Sequence, residues 1–485
     1  MKFRRSLLLS CSSSLALVSL TFSSAQAGTI WDGGGANTNI NTAGNWDADA
    51  LPTSLTAGNQ TLTFGTGGST ATINTDVNVL GININRDAAF TIANGAGNLT
   101  IGTGGITVTP GTAARSHWIG ENIILNGNQT WSIPNTGISP GNMQLSVNSV
   151  ISGNFGIIRT GAAGILKLSG NNSFTGGVIH REGFLNLGNA NALGSGTLTI
   201  GDNTSSNSTA SVSVNFDDAS LTYNNDITFV HNGQAQTRTI QSRQTNTSLN
   251  GTITLASNSG GGIIFGAGAN QQLTINGKIT GSTPGLSISL MNNGVGTVLL
   301  TNSANDFNLG VTNSLIVARG TLLLQGNDNA DGTAGILGRG TGLLNMSASS
   351  FNTGEEARIL TNGAFTIARA VNMNQGGATN ASFNTLGGNT ADTSTFSGNI
   401  VMASGNATSY RFTAATGGTV NLTGNISGTA TNGLSKIGNG TVVLSGNNTY
   451  SGNTNINAGT LQIGGAGRIG TGNYTGAISN NGSFV

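Results

Sequence analysis

The sequence predicts an all-β solenoid, a single elongated rod of short strands stacked coil on coil, and three observations lead there. Of 485 residues, 77 are Gly, 7% are charged and 5% aromatic, far from the roughly 25% charged and 7% Gly of an average soluble domain. Apolar residues alternate with Thr and Asn between Gly- and Asn-rich corners. A long uncharged phrase recurs along the chain. The low charge argues against highly charged disorder, and the regularly placed Val, Ile, Leu and Thr argue against a Gly/Ser linker.

The first 27 residues read as an export signal. Lys2, Arg4 and Arg5 precede an apolar run from Leu7 to Phe22, and Ala25-Gln26-Ala27 gives a small-x-small cleavage pattern, so cleavage is expected between Ala27 and Gly28. A lipoprotein signal using Cys11 is the alternative, but too few residues separate Arg5 from Cys11 for an apolar region. Cleavage would remove Cys11, the single cysteine, leaving a mature chain that must cohere through repetition and burial. Lys2, Arg4 and Arg5 would leave too, so that 15 basic residues face 17 acidic ones and the formal charge moves from +1 to −2. Such a chain has no electrostatic attraction for nucleic acid, and after residue 27 no apolar stretch is long enough for a transmembrane helix.

Strands are read from period two. In "GTLQIG" (459–464) Leu461 and Ile463 point one way and Thr460 and Gln462 the other; "GTLTIG" (196–201), "QLTING" (272–277) and "GTITL" (251–255) repeat the pattern. The bounding Gly and Asn suit corners that need positive φ. Gly interrupts nearly every window that could be helical. Because the corners vary in length, a solenoid of coils of roughly 20 to 25 residues fits better than a propeller. Three segments align: 150–188, 278–326 and 425–464. Each has an Ile-Ser/Thr-Gly opening (Ile151, Ile279, Ile426), a Gly-rich turn, a strand, an aromatic (Phe174, Phe307, Tyr450) and a Gly-bounded strand. In "LSGNN", Leu168 and Leu444 should point inward, and Asn172 and Asn448 are candidates for structural amide ladders. The middle unit has lost the Gly-Asn-Asn.

The phrases "GNGTVVLSGNNTYSGNTNINAGTLQIG" (438–464) and "GAAGILKLSGNNSFTGGVIHREGFLNLG" (161–188) resemble the autotransporter-associated β-strand repeat, over about a sixth of the chain. The resemblance implies a right-handed parallel β-helix of the pectin lyase-like kind. It further implies a secreted or surface-displayed passenger of a Gram-negative-type bacterium, handled by an outer-membrane translocator outside this sequence. The chain stops at "NYTGAISNNGSFV", which reads as the start of another repeat, so truncation at the C-terminus is expected. The organisation read from sequence is a signal peptide (1–27), a cap-like segment (28–64) and a β-helix (65–485).

The cap-like segment contains Trp31 and Trp46, whose bulk suits covering the first coil; the alternative is a glycan-stacking platform. Chemistry is sparse. Glycosidic cleavage needs two carboxylates about 5 to 9.5 Å apart. The acidic pairs Asp217-Asp218 and Glu355-Glu356, the latter near Arg358, consist of neighbours that point to opposite faces if they lie on strands. His117, His180 and His231 have no ligand spacing. "NDNADG" (327–332) places Asn327, Asn329 and Asp331 like the front of a calcium loop, but Gly338 stands where Glu is required. No catalytic, metal or cofactor residues are therefore assigned. The reading is a non-enzymatic stalk and adhesion module with an unnamed surface or glycan ligand; the alternatives are a polysaccharide lyase or glycosidase, or a glycan-binding module.

Overall fold

The computed structural model describes residues 30–109, 115–135, 143–201, 212–217, 220–230, 237–244, 246–256, 262–282, 288–290, 296–308, 315–329, 332–347, 356–374, 383–403, 410–428 and 433–485. These residues form a parallel β-solenoid. The only helical turns among them are two short 3-10 turns, Ala43–Asn45 and Asp47–Asp49. A 13-stranded sheet runs from Ile30–Trp31 to Ile279–Ser282, and a 15-stranded sheet from Thr70–Thr72 to Ile426–Gly428. An 11-stranded sheet runs from Leu221–Tyr223 to Ile478–Asn480, and a six-stranded sheet from Thr366–Ile367 to Ser483–Phe484. They are called here the first to fourth sheets. Strands in a ladder lie about 4.8 Å apart, so the second sheet alone extends about 65 to 70 Å.

Period two explains the core. The inward column Leu145, Leu166, Leu185, Val214, Ile240 and Phe265 climbs the second sheet in register, and every member is buried. Leu168 and Leu444 are fully buried, as the alternation requires. The outward column of the first sheet carries Thr199, Thr228, Thr254 and Thr280, paired rung to rung. Coils are longer and more variable than the sequence rhythm suggests. Stacked side chains are separated by 20 residues between Asn171 and Asn191, 26 between Asn224 and Asn250, and 29 between Asn186 and Asn215. The difference lies in the connections, because the strands themselves stay in register.

The three repeats do not sit above one another. In the first, Ile151–Ser152 and Ile157–Thr160 belong to the first sheet and Ile165–Leu168 to the second. In the middle unit the corresponding strands Ile279–Ser282, Ile288–Leu290 and Thr297–Leu300 lie on the first, second and third sheets. In the last, Ile426–Gly428, Leu434–Ile437 and Thr441–Leu444 lie on the second, third and fourth. From the first copy to the middle one the second and third strands move one sheet onward, and from the middle copy to the last all three strands do.

This shift coincides with a fault in the stack. The first sheet ends at Ser282 and continues only as irregular rungs: Asp306 N–H donates to Ile279 O at 3.1 Å and Arg339 N–H to Phe307 O at 2.8 Å. The fourth sheet starts beside them, where Asp328 bridges to Ile367.

Candidate functional site

Trp31 and Trp46 are both fully buried. Their rings meet edge to face at 5.2 Å, and Trp46 Nε1–H donates to Ile40 O at 2.8 Å. Phe64 lies 6.2 Å from Trp31 and 4.8 Å from Phe90. The sequence supplied two aromatics and left their direction open; the structure turns both inward, and neither indole face is free to stack on a sugar. They join strand Ile30–Trp31 to Thr61–Phe64, the first rungs of the first sheet.

Of the acidic candidates, the two that are described, Asp217 and Glu356, do not converge. Asp217 follows a second-sheet strand, where its Oδ2 accepts from Asn186 Nδ2 at 2.6 Å and its Oδ1 lies 3.9 Å from Arg243. Glu356 begins the third-sheet strand Glu356–Thr361, with Arg358 Nε at 2.7 Å, Arg411 at 3.6 Å and the Thr385 hydroxyl bonded to it. Arg411 in turn stacks 3.2 Å above the Phe383 ring. The Glu356 carboxylate is thus held between two guanidiniums, and among the described residues it is the one carboxylate of this cluster, where glycosidic cleavage needs two. Asn327 Oδ1 accepts from Thr366 N at 2.8 Å and Asn329 Nδ2 donates to Ala334 O at 2.8 Å, so both side chains serve the backbone. Among the described residues, no three His, Cys, Asp or Glu side chains come together. Cys11, Ala27, Gly28, Asp218, His231, Asp331 and Glu355 lie outside the described residues.

His117 and His180 are fully buried, in different sheets. His117 sits in register between Phe90 and Leu145, and neither ring nitrogen has a partner among the described residues. Burial, followed by Arg86 and Arg115, pushes its pKa down to about 4; burial, followed by Arg159, pushes that of His180 down to about 3. Both are neutral when folded and bind protons on unfolding below their ordinary value of 6.5. The stability they contribute is thus fully present above pH 6.5 and is lost as pH falls from there toward 4 and 3. Thermal melts should show this loss between pH 6.5 and 4. His117→Leu, which removes an unbonded buried imidazole, should raise stability at pH 7 by about 1–3 kcal/mol and flatten the acid limb. An unchanged acid limb in His117→Leu would remove that imidazole from the account.

What the fold does bring together are two corner devices. The first uses a buried Asn. Asn172 Oδ1 accepts from Ile151 N at 2.8 Å while its Nδ2 donates to Ala192 O at 2.7 Å. Asn448 bonds likewise to Ile426 N at 3.0 Å and to Arg468 O at 2.9 Å. Asn305 in the middle unit bonds to Ile279 N at 2.8 Å and Ile336 O at 2.9 Å. Each amide ties the coil below to the coil above, rather than stacking on a copy of itself. Asn305 was hidden because its surroundings, "TNSANDF", had lost the Gly-Asn-Asn that marks the others.

The second device is a buried cation. Arg159 donates to the carbonyls of Thr160, Gly161 and Gly164, and Lys436 Nζ to those of Ile437, Gly438 and Ala458 at 2.8–3.0 Å. Burial lowers the pKa of Arg159 to about 9 and that of Lys436 to about 8. The shared spacing "RTG" (159–161) and "KIG" (436–438) is the signal that would have found them. Gly183 and Gly459 close the corresponding corners at φ +74° and +65°, where a side chain would be strained.

The Passenger-associated-transport-repeat family matches residues 158–179 and 434–463, the two segments that hold these devices. The chain carries passenger-associated-transport repeats. Together with the parallel ladder, these two short matches make the chain similar to the β-helices of autotransporter passengers. No curated protein and no solved structure matches it. The match covers the corner devices of the first and last repeats and leaves the middle unit out, although Asn305 performs the same task there.

Proposed function

We propose that the protein is a non-enzymatic, exported rod that acts as a stalk and contact module, with residues 1–27 removed between Ala27 and Gly28. Its place is the extracellular or outer-membrane surface, reached through a translocator outside this sequence. The observation that carries the reading is the use made of the repeats' polar groups: Asn172, Asn305, Asn448, Arg159 and Lys436 are all spent on backbone groups of their own and adjacent coils. They hold length; none is left for a substrate.

The outer walls supply the contact surface. The fourth sheet repeats the hydroxyl row of the first with Thr393, Thr419, Thr441 and Thr460, one per rung. Such rows at about 4.8 Å spacing offer uncharged hydrogen-bonding groups to a repetitive partner. No helix among the described residues is long and apolar enough to cross a membrane.

The test is enzymatic. Residues 28–485, incubated with pectic, alginate and neutral polysaccharides, should generate neither unsaturated uronates nor new reducing ends. Either product, lost in Glu356→Gln, would overturn the non-enzymatic reading.

A further inference from the structure

The corner between strands Phe90–Ala93 and Leu99–Val108 carries an asparagine followed by glycine, Asn94-Gly95, and both residues are exposed. The next coil lies directly over this corner, because Ile92 pairs with Ile119 and Leu99 with Ile123. That register brings Glu121 to the Asn94–Gly95 peptide. Glu121 is 2% exposed; its Oε2 accepts from Gly95 N at 2.9 Å and its Oε1 from Asn122 N at 2.8 Å.

Packing requires the glycine, since a Cβ at Gly95 would stand 2.2 Å from the Ile73 carbonyl oxygen. Its nitrogen is therefore unhindered by a side chain. The carbon it can attack is always at hand: Gly95 N and Asn94 Cγ close a five-membered ring on rotation about the bonds of Asn94 itself. The Asn94 side chain is exposed and has no hydrogen-bond partner among the described residues, so nothing holds its amide in another orientation. Other glycines that follow an asparagine give their N–H to weakly basic carbonyls: Gly277 to Leu249 O and Gly440 to Ala414 O, both at 3.0 Å. A general base must lie about 2.6–3.2 Å from the atom that gives up its proton, and the Glu121 carboxylate does.

We propose that Asn94-Gly95 is a site of self-modification, with Glu121 as its general base. Glu121 takes the proton from Gly95 N as that nitrogen bonds to Asn94 Cγ. The Cγ–Nδ2 bond then breaks, the proton passes through water to the departing nitrogen, and a succinimide and ammonia result. Water opens the ring at either carbonyl, leaving aspartate or β-linked aspartate at position 94. One water is consumed, one ammonia is released, and nothing is oxidised or reduced. Either product adds a carboxylate at the corner that Glu121 caps. The β-linkage also lengthens the main chain by one carbon, where Ile73 N donates to Ala93 O at 3.1 Å and Gly97 N to Ile73 O at 3.0 Å. The coils next to the tryptophan pair thus loosen as the protein ages. This chemistry is independent of the stalk role, since it acts on the chain itself and turns over no substrate.

Residues 28–485 should be incubated at neutral pH in heavy-oxygen water, with label uptake at each Asn-Gly followed by peptide mass spectrometry. Asn94 should convert about a hundredfold faster than Asn439, which is also exposed and followed by glycine but has no carboxylate on that glycine's amide. Glu121→Gln keeps a hydrogen-bonding group without the base and should bring Asn94 down to the Asn439 rate in a protein of unchanged circular dichroism. The comparison within the wild-type chain decides the matter even where that variant does not fold. Equal rates at Asn94 and Asn439 overturn the proposal, as does an unchanged Asn94 rate in folded Glu121→Gln. Faster conversion in that variant would show the carboxylate to be a clamp on the amide, and overturns it as well.

Discussion

Trp46→Ala is expected to destabilise the first coils by about 3–5 kcal/mol, the range for deleting a large buried aromatic. Trp46 is fully buried, holds Trp31 edge to face at 5.2 Å, lies 6.3 Å from Phe64 and donates to the Ile40 carbonyl. Its loss removes ring packing and leaves that carbonyl without its indole donor. In a solenoid each coil leans on its neighbours, so damage at one end spreads inward over a few coils instead of collapsing the whole. Limited proteolysis should therefore cut within residues 30–93 while the segment from Met143 onward persists. A variant that melts as one unit with the wild-type rod, or that resists protease like it, would sink this account.

Asn305→Ala carries the second large effect, about 2–4 kcal/mol, since the substitution leaves Ile279 N–H and Ile336 C=O without the amide that joins them. Asn305 is 1% exposed, so water is poorly placed to substitute. Hydrogen exchange at the Ile279 amide is the direct measurement: protection there should fall first, with neighbouring coils following. The half-buried Asn302 serves as the comparison: its bonds to Asn276 O and from Ala304 N–H are open to water, so Asn302→Ala should cost less, about 1 kcal/mol. Asn172→Ala and Asn448→Ala should match the Asn305 variant, because all three amides hold the same two kinds of group. A loss below about 1 kcal/mol in all three would mean that the corner amides are incidental.

The strands were legible because their information is local. Alternation in "GTLQIG" or "QLTING" specifies which side chains face inward whatever lies next in space. Leu168 and Leu444 point where alternation puts them. Partners on the adjacent coil are another matter. Asn305 meets Ile279 and Ile336, 26 and 31 residues distant, and Arg369 meets Asp328 across 41 residues. Those separations depend on the lengths of the intervening corners, which follow no period. The burial of Trp31 and Trp46 was open for a related reason: an indole suits a cap or a sugar platform equally well, and only the coil beneath decides. The aligned sequences of the repeats also conceal their displacement from sheet to sheet, since nothing within a copy records how much chain separates it from the last.

That displacement sets what the rod can touch. The three copies are alike in sequence but have different azimuths, so equivalent turns of the first, middle and last copies look outward in different directions. A flat surface laid against the rod meets one of them at a time. A fibre lying along the axis meets mixed faces, and a meshwork surrounding the rod meets all three. Lengthening one copy's turn would thus add a feature on a single side, whereas the same insertion in all three would give a bristle pattern winding around the shaft.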